Sequence, residues 1–430
     1  MKIITRRSVR VVTIYILITC ICLRYLFHNT DLSINSSIES SVEKEHNNDN
    51  DKIILCGHEI KDMPQLSSDN NVTYGVYNWN RNMANAIVIE NRTDNEFMYG
   101  RTGNQIREVF HAFDLARDSN GALVFHSNGF PMDLILRVES ISMQGYGGSG
   151  AWGQGLFLGV TESELEKRLG VTFYNNVDEK YRSQLKVMKQ DELYHYISKD
   201  SRYSIFDAIE HRHYMIRELY QMTANEMELH PDSKDVIEMC ASIHALFGKE
   251  NGDQQRSALL KELGITKPIT EKYTVIHSRK LEGLGKAWMN RAQKEWGVDN
   301  RASIEYPTDM ITSILSPINM VNNSILMITD GQNPSINKRL ASDPIIGKQF
   351  QVVPRKISTV TGDLLLAIVS DVFIGNPIST FSQYIVQVRY AFGIGNSYLF
   401  VRKDENEKWE TFCNDEACFY AWINLWTSLF

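Results

Sequence analysis

Residues 363–382 read DLLLAIVSDVFIGNPISTFS. The first eight, DLLLAIVS, suit a short apolar helix headed by the carboxylate of Asp363. VFI, residues 372–374, is β-branched and aromatic and reads as a buried strand. Gly375-Asn376-Pro377 stops it. Ser379-Thr380-Phe381-Ser382 then opens another helix, with hydroxyl side chains where N-caps belong. Helix, strand, polar loop and helix make the repeating unit of a doubly wound sheet, in which ligands sit beyond the carboxyl ends of the strands.

The same alternation surrounds this stretch. Residues 273–276 form a strand that ends in His277-Ser278-Arg279. SILMI, 324–328, ends in Thr329-Asp330-Gly331, and 350–353 is a third strand. Upstream, NAIVIE (85–90) and 97–99 are short apolar runs followed by a turn, GRTGNQ, at 100–105. Ile106, Val109, Phe110 and Phe113 then fall at helical spacing, Gly121 ends that helix, and ALVF (122–125) is the next strand. Thr161 and Glu164 form a capping-box pattern ahead of Leu165 and Leu169. Residues 176–262 carry mostly charged helical patterns, and GITKPIT (264–270) reads as a linker. The fold class is α/β: two Rossmann-like lobes with a central cleft. Residues 53–263 form an N-terminal lobe with a helical insertion, and 264–430 form a C-terminal lobe. The glycine-rich segment 145–159 reads as a surface loop or as a loop that closes over a ligand.

Ahead of the lobes, Lys2, Arg6, Arg7 and Arg10 precede an uncharged run, 11–23, and an apolar stretch that reaches Phe27 past Arg24. No small-x-small cleavage site follows. The expectation is an uncleaved signal anchor within 1–27; a cleaved signal peptide and a mitochondrial presequence are the alternatives. Basic residues before the span leave the N-terminus cytosolic and the remainder luminal. Residues 28–52 are polar and of low complexity and read as a flexible stem. Sequons at Asn35, Asn71, Asn91 and Asn322 agree with a luminal location. Cys413 with Cys418 could close a local disulfide, and Cys56 with Cys240 is a weaker pairing.

Forty-five basic residues against 52 acidic ones give a net charge of -7, which disfavours nucleic acid as a partner. The six cysteines show no CxxC zinc spacing. The one Asp-x-Asp triplet, Asp49-Asn50-Asp51, lies in the stem, so no metal is expected in the site.

The chemistry gathers at strand ends. A guanidinium such as Arg279 can fork onto a phosphate. Ser379, Thr380 and Ser382 stand at a helix start, where free N–H groups and the dipole favour an anion. Gly103-Asn104 supplies a tight turn and an amide at a helix start in the other lobe. Each has a plainer role: Arg279 in a structural ion pair, the Ser-Thr cluster and Asp330 as helix caps.

GRTGNQ, His277-Ser278-Arg279 and DLLLAIVSDVFIGNPISTFS together resemble the motifs of GDP-fucose-dependent fucosyltransferases, with the strongest similarity to the protein O-fucosyltransferases. The motifs span both lobes in the family's order. The resemblance implies the two-lobed GT-B fold and an inverting, metal-independent transfer of fucose to a protein hydroxyl or a glycan. It implies no cofactor beyond GDP-fucose as donor substrate, and a Golgi or endoplasmic reticulum membrane enzyme. It implies that Arg279 binds the β-phosphate and aids catalysis, that His277 and Asp363 contact the nucleoside, and that Ser379, Thr380 and Phe381 line the diphosphate and sugar. Asn104 would touch the donor from the opposite lobe. Where the family often continues with Arg-x-Asp, Lys280-Leu281-Glu282 stands here, and Arg101 occupies the glycine turn. Glu282 is an unaligned candidate base; a dissociative reaction in which GDP accepts the proton needs none. A transferase for another nucleotide sugar and a non-catalytic glycan-binding protein of the same fold are the competing functions.

Overall fold

The computed structural model describes residues 53–55, 58–60, 83–90, 102–119, 121–127, 160–189, 212–220, 222, 272–279, 287, 289–290, 293–294, 304–320, 323–329, 335–353, 360–376 and 379–413. The anchor and stem, the four sequons, the expected strand at 97–99, the glycine-rich segment, the linker and one or both cysteines of each pair lie outside these residues. Among the described residues no helix is long and apolar enough to cross a membrane.

Strands β1 (Ile53–Leu55) and β2 (His58–Ile60) pair antiparallel. β3 (Ile87–Ile89), β4 (Leu123–Phe125), β5 (Thr172–Phe173) and β6 (Lys186–Met188) then form a parallel sheet in the order β5-β4-β3-β6. β3 and β4 are apolar throughout and buried throughout, as strands covered on both faces must be. Between them runs α1 (Thr102–Asp118), which buries Ile106, Val109, Phe110 and Phe113 on the face their spacing indicates. Helix α2 (Glu162–Leu169) begins where Thr161 Oγ1 accepts the Glu164 N–H at 3.2 Å and stops at Gly170, whose φ of 67° a side chain would resist. A short α3 (Glu179–Arg182) follows.

Two expectations shift in this half. The structure shows a strand, β6, within the region read as charged helix. Its three residues, Lys186-Val187-Met188, are too few to show a period and only Met188 is buried; pairing with β3 holds it at the sheet edge. Helix α1 also starts earlier than expected, so Gly103 and Asn104 already belong to its first turn instead of a preceding tight turn.

The second sheet is parallel and five-stranded. It contains β7 (Tyr273–Ser278), β8 (Ser324–Thr329), β9 (Gln351–Val353), β10 (Val372–Ile374) and β11 (Ser397–Tyr398), in the order β11-β10-β7-β8-β9. Helices α4 (Thr308–Leu315), α5 (Ser335–Ser342), α6 (Ile346–Gln349), α7 (Val360–Ile368) and α8 (Thr380–Ala391) connect the strands. All six residues of β7 are buried. Ile276, Ile325, Met327, Val372 and Ile374 pack with Met310, Ile311, Leu315 and Leu340 into one core. Each such aliphatic side chain contributes roughly 1.5–3 kcal/mol on burial. A final antiparallel pair, β12 (Phe400–Lys403) and β13 (Trp409–Cys413), docks on α4, where Trp409 Nε1 donates to Asp309 Oδ2 at 2.6 Å.

The helical segment 212–220 ties α1 to the end of α8. Arg212 donates to Asp114 Oδ2 from Nε at 2.9 Å and from Nη2 at 2.6 Å, and both residues are buried. Arg217 Nε donates to the Ala391 carbonyl, and Tyr220 meets Phe392 edge-on with ring centroids 5.6 Å apart.

Candidate functional site

Counted from its own first strand, the second sheet runs 3-2-1-4-5, so the direction in which successive strands are added reverses between β7 and β10. A doubly wound sheet opens a crevice at that switch point, beyond the carboxyl ends of those two strands. β7 delivers His277-Ser278-Arg279 there, and β10 delivers Gly375-Asn376.

Arg279 lies directly past β7, and its Nη1 donates to Ser379 Oγ at 3.3 Å. Ser379 is the N-cap residue of α8, yet its hydroxyl makes no cap bond to the helix. The capping role available to this serine is not the one it fills: its side chain turns to the guanidinium. The helix start thereby keeps N–H groups for another acceptor. Asn376 Nδ2 donates to the Arg279 carbonyl at 3.5 Å, which ties the two strand ends together.

His277 is 5% exposed. Its Nδ1 lies 2.7 Å from Ser382 Oγ, and its carbonyl accepts the Tyr306 hydroxyl at 2.5 Å. The Phe381 ring is tilted against it, with centroids 5.1 Å apart. Burial drives the imidazole down to about 3, and the neighbouring Arg279 cation pushes the same way, so the ring is neutral in ordinary buffers.

The start of α1 closes on this group from the first half of the chain. A Cβ on Gly103 would sit 2.7 Å from Phe381 N, the Thr380 carbonyl carbon and Thr380 Oγ1. Glycine is required there for close approach of two helix starts, not for a turn. Below the contact, α1 and α8 stack Phe110 on Tyr384, with centroids 6.3 Å apart. Gly103, Arg107, Thr380, Gln383 and Gln387 are among the residues lining a narrow cleft between the two helices.

Of the residues chosen from the sequence, Arg279, His277, Ser379, Thr380 and Phe381 meet at the switch point. Asp363 is buried in the first turn of α7. Asn104 is in the first turn of α1; its side chain lies outside the described residues. Glu282, Arg101 and Asp330 also lie outside them. Sequence reasoning missed Tyr306, whose hydroxyl arrives from a distant loop, and the linking parts of Asn376 and Ser382. Both of the latter stand inside the stretch 363–382; Ser382 is legible there as a helix-start hydroxyl, but not its bonds to Asn376 and His277. Among the described residues no group of His, Cys, Asp and Glu side chains could hold a metal ion. What the arrangement offers is a cation fixed beside a helix start and a neutral buried imidazole, chemistry that suits a phosphorylated ligand.

No family model matches the sequence, and no curated protein matches it. Among solved structures the chain is similar to POFUT1 in complex with GDP-fucose, at 12% identity and a TM-score of 0.35, covering 74% of this chain and 99% of that one. A second crystal form of that complex gives 10% identity and a TM-score of 0.36 over 73% and 97% of the two chains. POFUT1 in complex with GDP gives 12% and 0.32 over 74% and 99%.

Proposed function

We propose that this chain is a fucosyltransferase of the secretory pathway that uses GDP-fucose as donor. The observation that carries the reading is the bond from Arg279 to Ser379. It places a guanidinium against the start of α8 at the switch point, where a diphosphate would meet both the cation and the helix dipole. All three motifs behind the family resemblance bear on this place: HSR ends β7, residues 363–382 build α7, β10 and the start of α8, and GRTGNQ leads into α1.

In the reaction, the bond from the fucose anomeric carbon to the β-phosphate oxygen breaks as an acceptor hydroxyl oxygen bonds to that carbon from the opposite face. Configuration inverts. The acceptor proton leaves to a base or to the departing GDP. Charge grows on the β-phosphate, so Arg279 and the amides of α8 stabilise the transition state more than the ground state. These donors do the work that a metal would do elsewhere, and the reaction is proposed to need none. His277 and Asp363 take the nucleoside, Thr380 and Phe381 the sugar side, and Asn104 approaches from the other lobe. Residues 53–263 and 264–430 are the two lobes of a GT-B enzyme, held in the lumen of the Golgi or endoplasmic reticulum by an anchor in 1–27.

Release of GDP from GDP-fucose by the purified protein, with and without EDTA, tests the activity. GDP release that survives EDTA supports the reading. Release lost in EDTA and restored by manganese would move the chain to a metal-dependent class, and no release from GDP-fucose beside release from another nucleotide sugar would reassign the donor.

A further inference from the structure

The hydroxyl of Ser382 stands between two partners. Its Oγ accepts the backbone N–H of Asn376 at 3.0 Å and lies 2.7 Å from Nδ1 of His277. Ser382 is fully buried, as is Asn376. A hydroxyl carries a single hydrogen, and a neutral imidazole carries a single N–H. With Asn376 already donating to Oγ, the arrangement that satisfies every group sends the hydroxyl hydrogen to Nδ1. The reverse would aim two N–H groups at one oxygen and leave the hydroxyl hydrogen to find another acceptor in a closed space.

We propose that Ser382 is a positioning residue that donates to Nδ1 of His277 and fixes the imidazole as its Nε2–H tautomer, so that the ring presents a neutral donor to an acceptor atom of the ligand. The ligand's identity as a nucleoside diphosphate rests on the function proposed above; the tautomer does not. The Phe381 ring is tilted against the imidazole, and Tyr306 anchors the backbone of the same residue through its carbonyl. Its orientation and its proton are therefore both set before a ligand arrives, which is the condition for a hydrogen bond that needs no rearrangement on binding. A lone buried histidine would divide between two tautomers, and only one would offer a hydrogen at Nε2.

The test uses the full-length protein with nitrogen-15-labelled histidine. His277→Gln assigns the ring signals. In the wild type His277 is expected to show a pyridine-type Nδ1 and a protonated Nε2 without ligand. Ser382→Ala should convert this to a mixture of tautomers and weaken GDP binding roughly tenfold, the size of one hydrogen bond made or lost. Ser382→Thr keeps the hydroxyl and should restore both. A protonated Nδ1 in the wild type overturns the proposal, and that spectrum decides it even if Ser382→Ala fails to fold. Unchanged tautomer populations in a folded Ser382→Ala protein overturn it too. A wild type with the expected tautomer that binds no GDP supports the role of Ser382 and sinks the nucleotide reading instead.

Discussion

Arg279 and Ser379, 100 residues apart in the chain, meet at 3.3 Å where β7 ends and α8 begins. This contact withdraws the serine from capping its own helix and fixes the guanidinium beside the helix start. A cation held in this way is preorganised for an anion and does not have to be recruited by one.

Arg279→Ala should lower the rate of GDP release a hundred- to a thousandfold, about 3 to 4 kcal/mol of transition-state stabilisation. Arg279→Lys should recover little, since an ammonium cannot supply the forked contact. Arg279 is partly exposed, so the melting temperature should hardly move. Turnover that falls only in step with folded protein would return Arg279 to an ordinary structural role. Steady-state kinetics beside thermal melting check both.

Gly103→Ala should destabilise the protein by ~1–3 kcal/mol, because the new methyl meets the backbone of Thr380 and Phe381, which cannot swing aside. Gly395→Ala is the control: its Cβ would meet nothing within 4 Å. Comparable thermal melts for the two variants would show that α1 and α8 do not approach as closely as described.

Arg389 is fully buried and donates to the carbonyls of Ala367, Ile368 and Ser370 at 3.2, 3.0 and 2.5 Å, and to Ser397 Oγ at 2.9 Å. It closes the end of α7 and joins α8 to β11. Arg389→Met should strand several buried acceptors at about 1–3 kcal/mol each, enough to abolish folding of a marginally stable chain. A melting temperature within a few degrees of wild type would contradict this role.

The neutral His277 links stability to pH. Its folded value lies near 3, below the ordinary 6.5, so between these the unfolded chain binds the extra proton and stability falls as pH drops below about 6.5. The limiting slope is ~1.4 kcal/mol per pH unit, so the stability advantage of wild type over His277→Gln should narrow by about 2 kcal/mol between about pH 7.5 and pH 5. Urea unfolding of both proteins measures it; a constant difference would mean that His277 is not held neutral.

Much of the second sheet was legible because β7, β8 and β10 carry short runs rich in apolar and β-branched residues that end in polar residues or glycine. Site residues could be chosen at their ends without knowing the strand order, since every parallel strand presents its carboxyl end to one side. Which two ends adjoin was not legible, because pairing of β7 with β10 spans about a hundred residues. β6 escaped because three residues amid charged sequence show no period, and Tyr306 for lack of any local signal. Gly103 reads in sequence as a turn residue, because a glycine needed for close approach looks the same there as one needed for a turn.

The role proposed for the switch-point residues depends on what binds beside Arg279. Calorimetric titration of the purified protein with GDP-fucose, GDP-mannose and UDP-sugars, repeated on Arg279→Ala, measures this directly. Saturable binding of GDP-fucose in preference to the other donors is expected, lost or strongly weakened in the variant. GDP-fucose binding of equal strength in wild type and Arg279→Ala, or a preference for a UDP-sugar, would remove Arg279 and GDP-fucose from the proposed site.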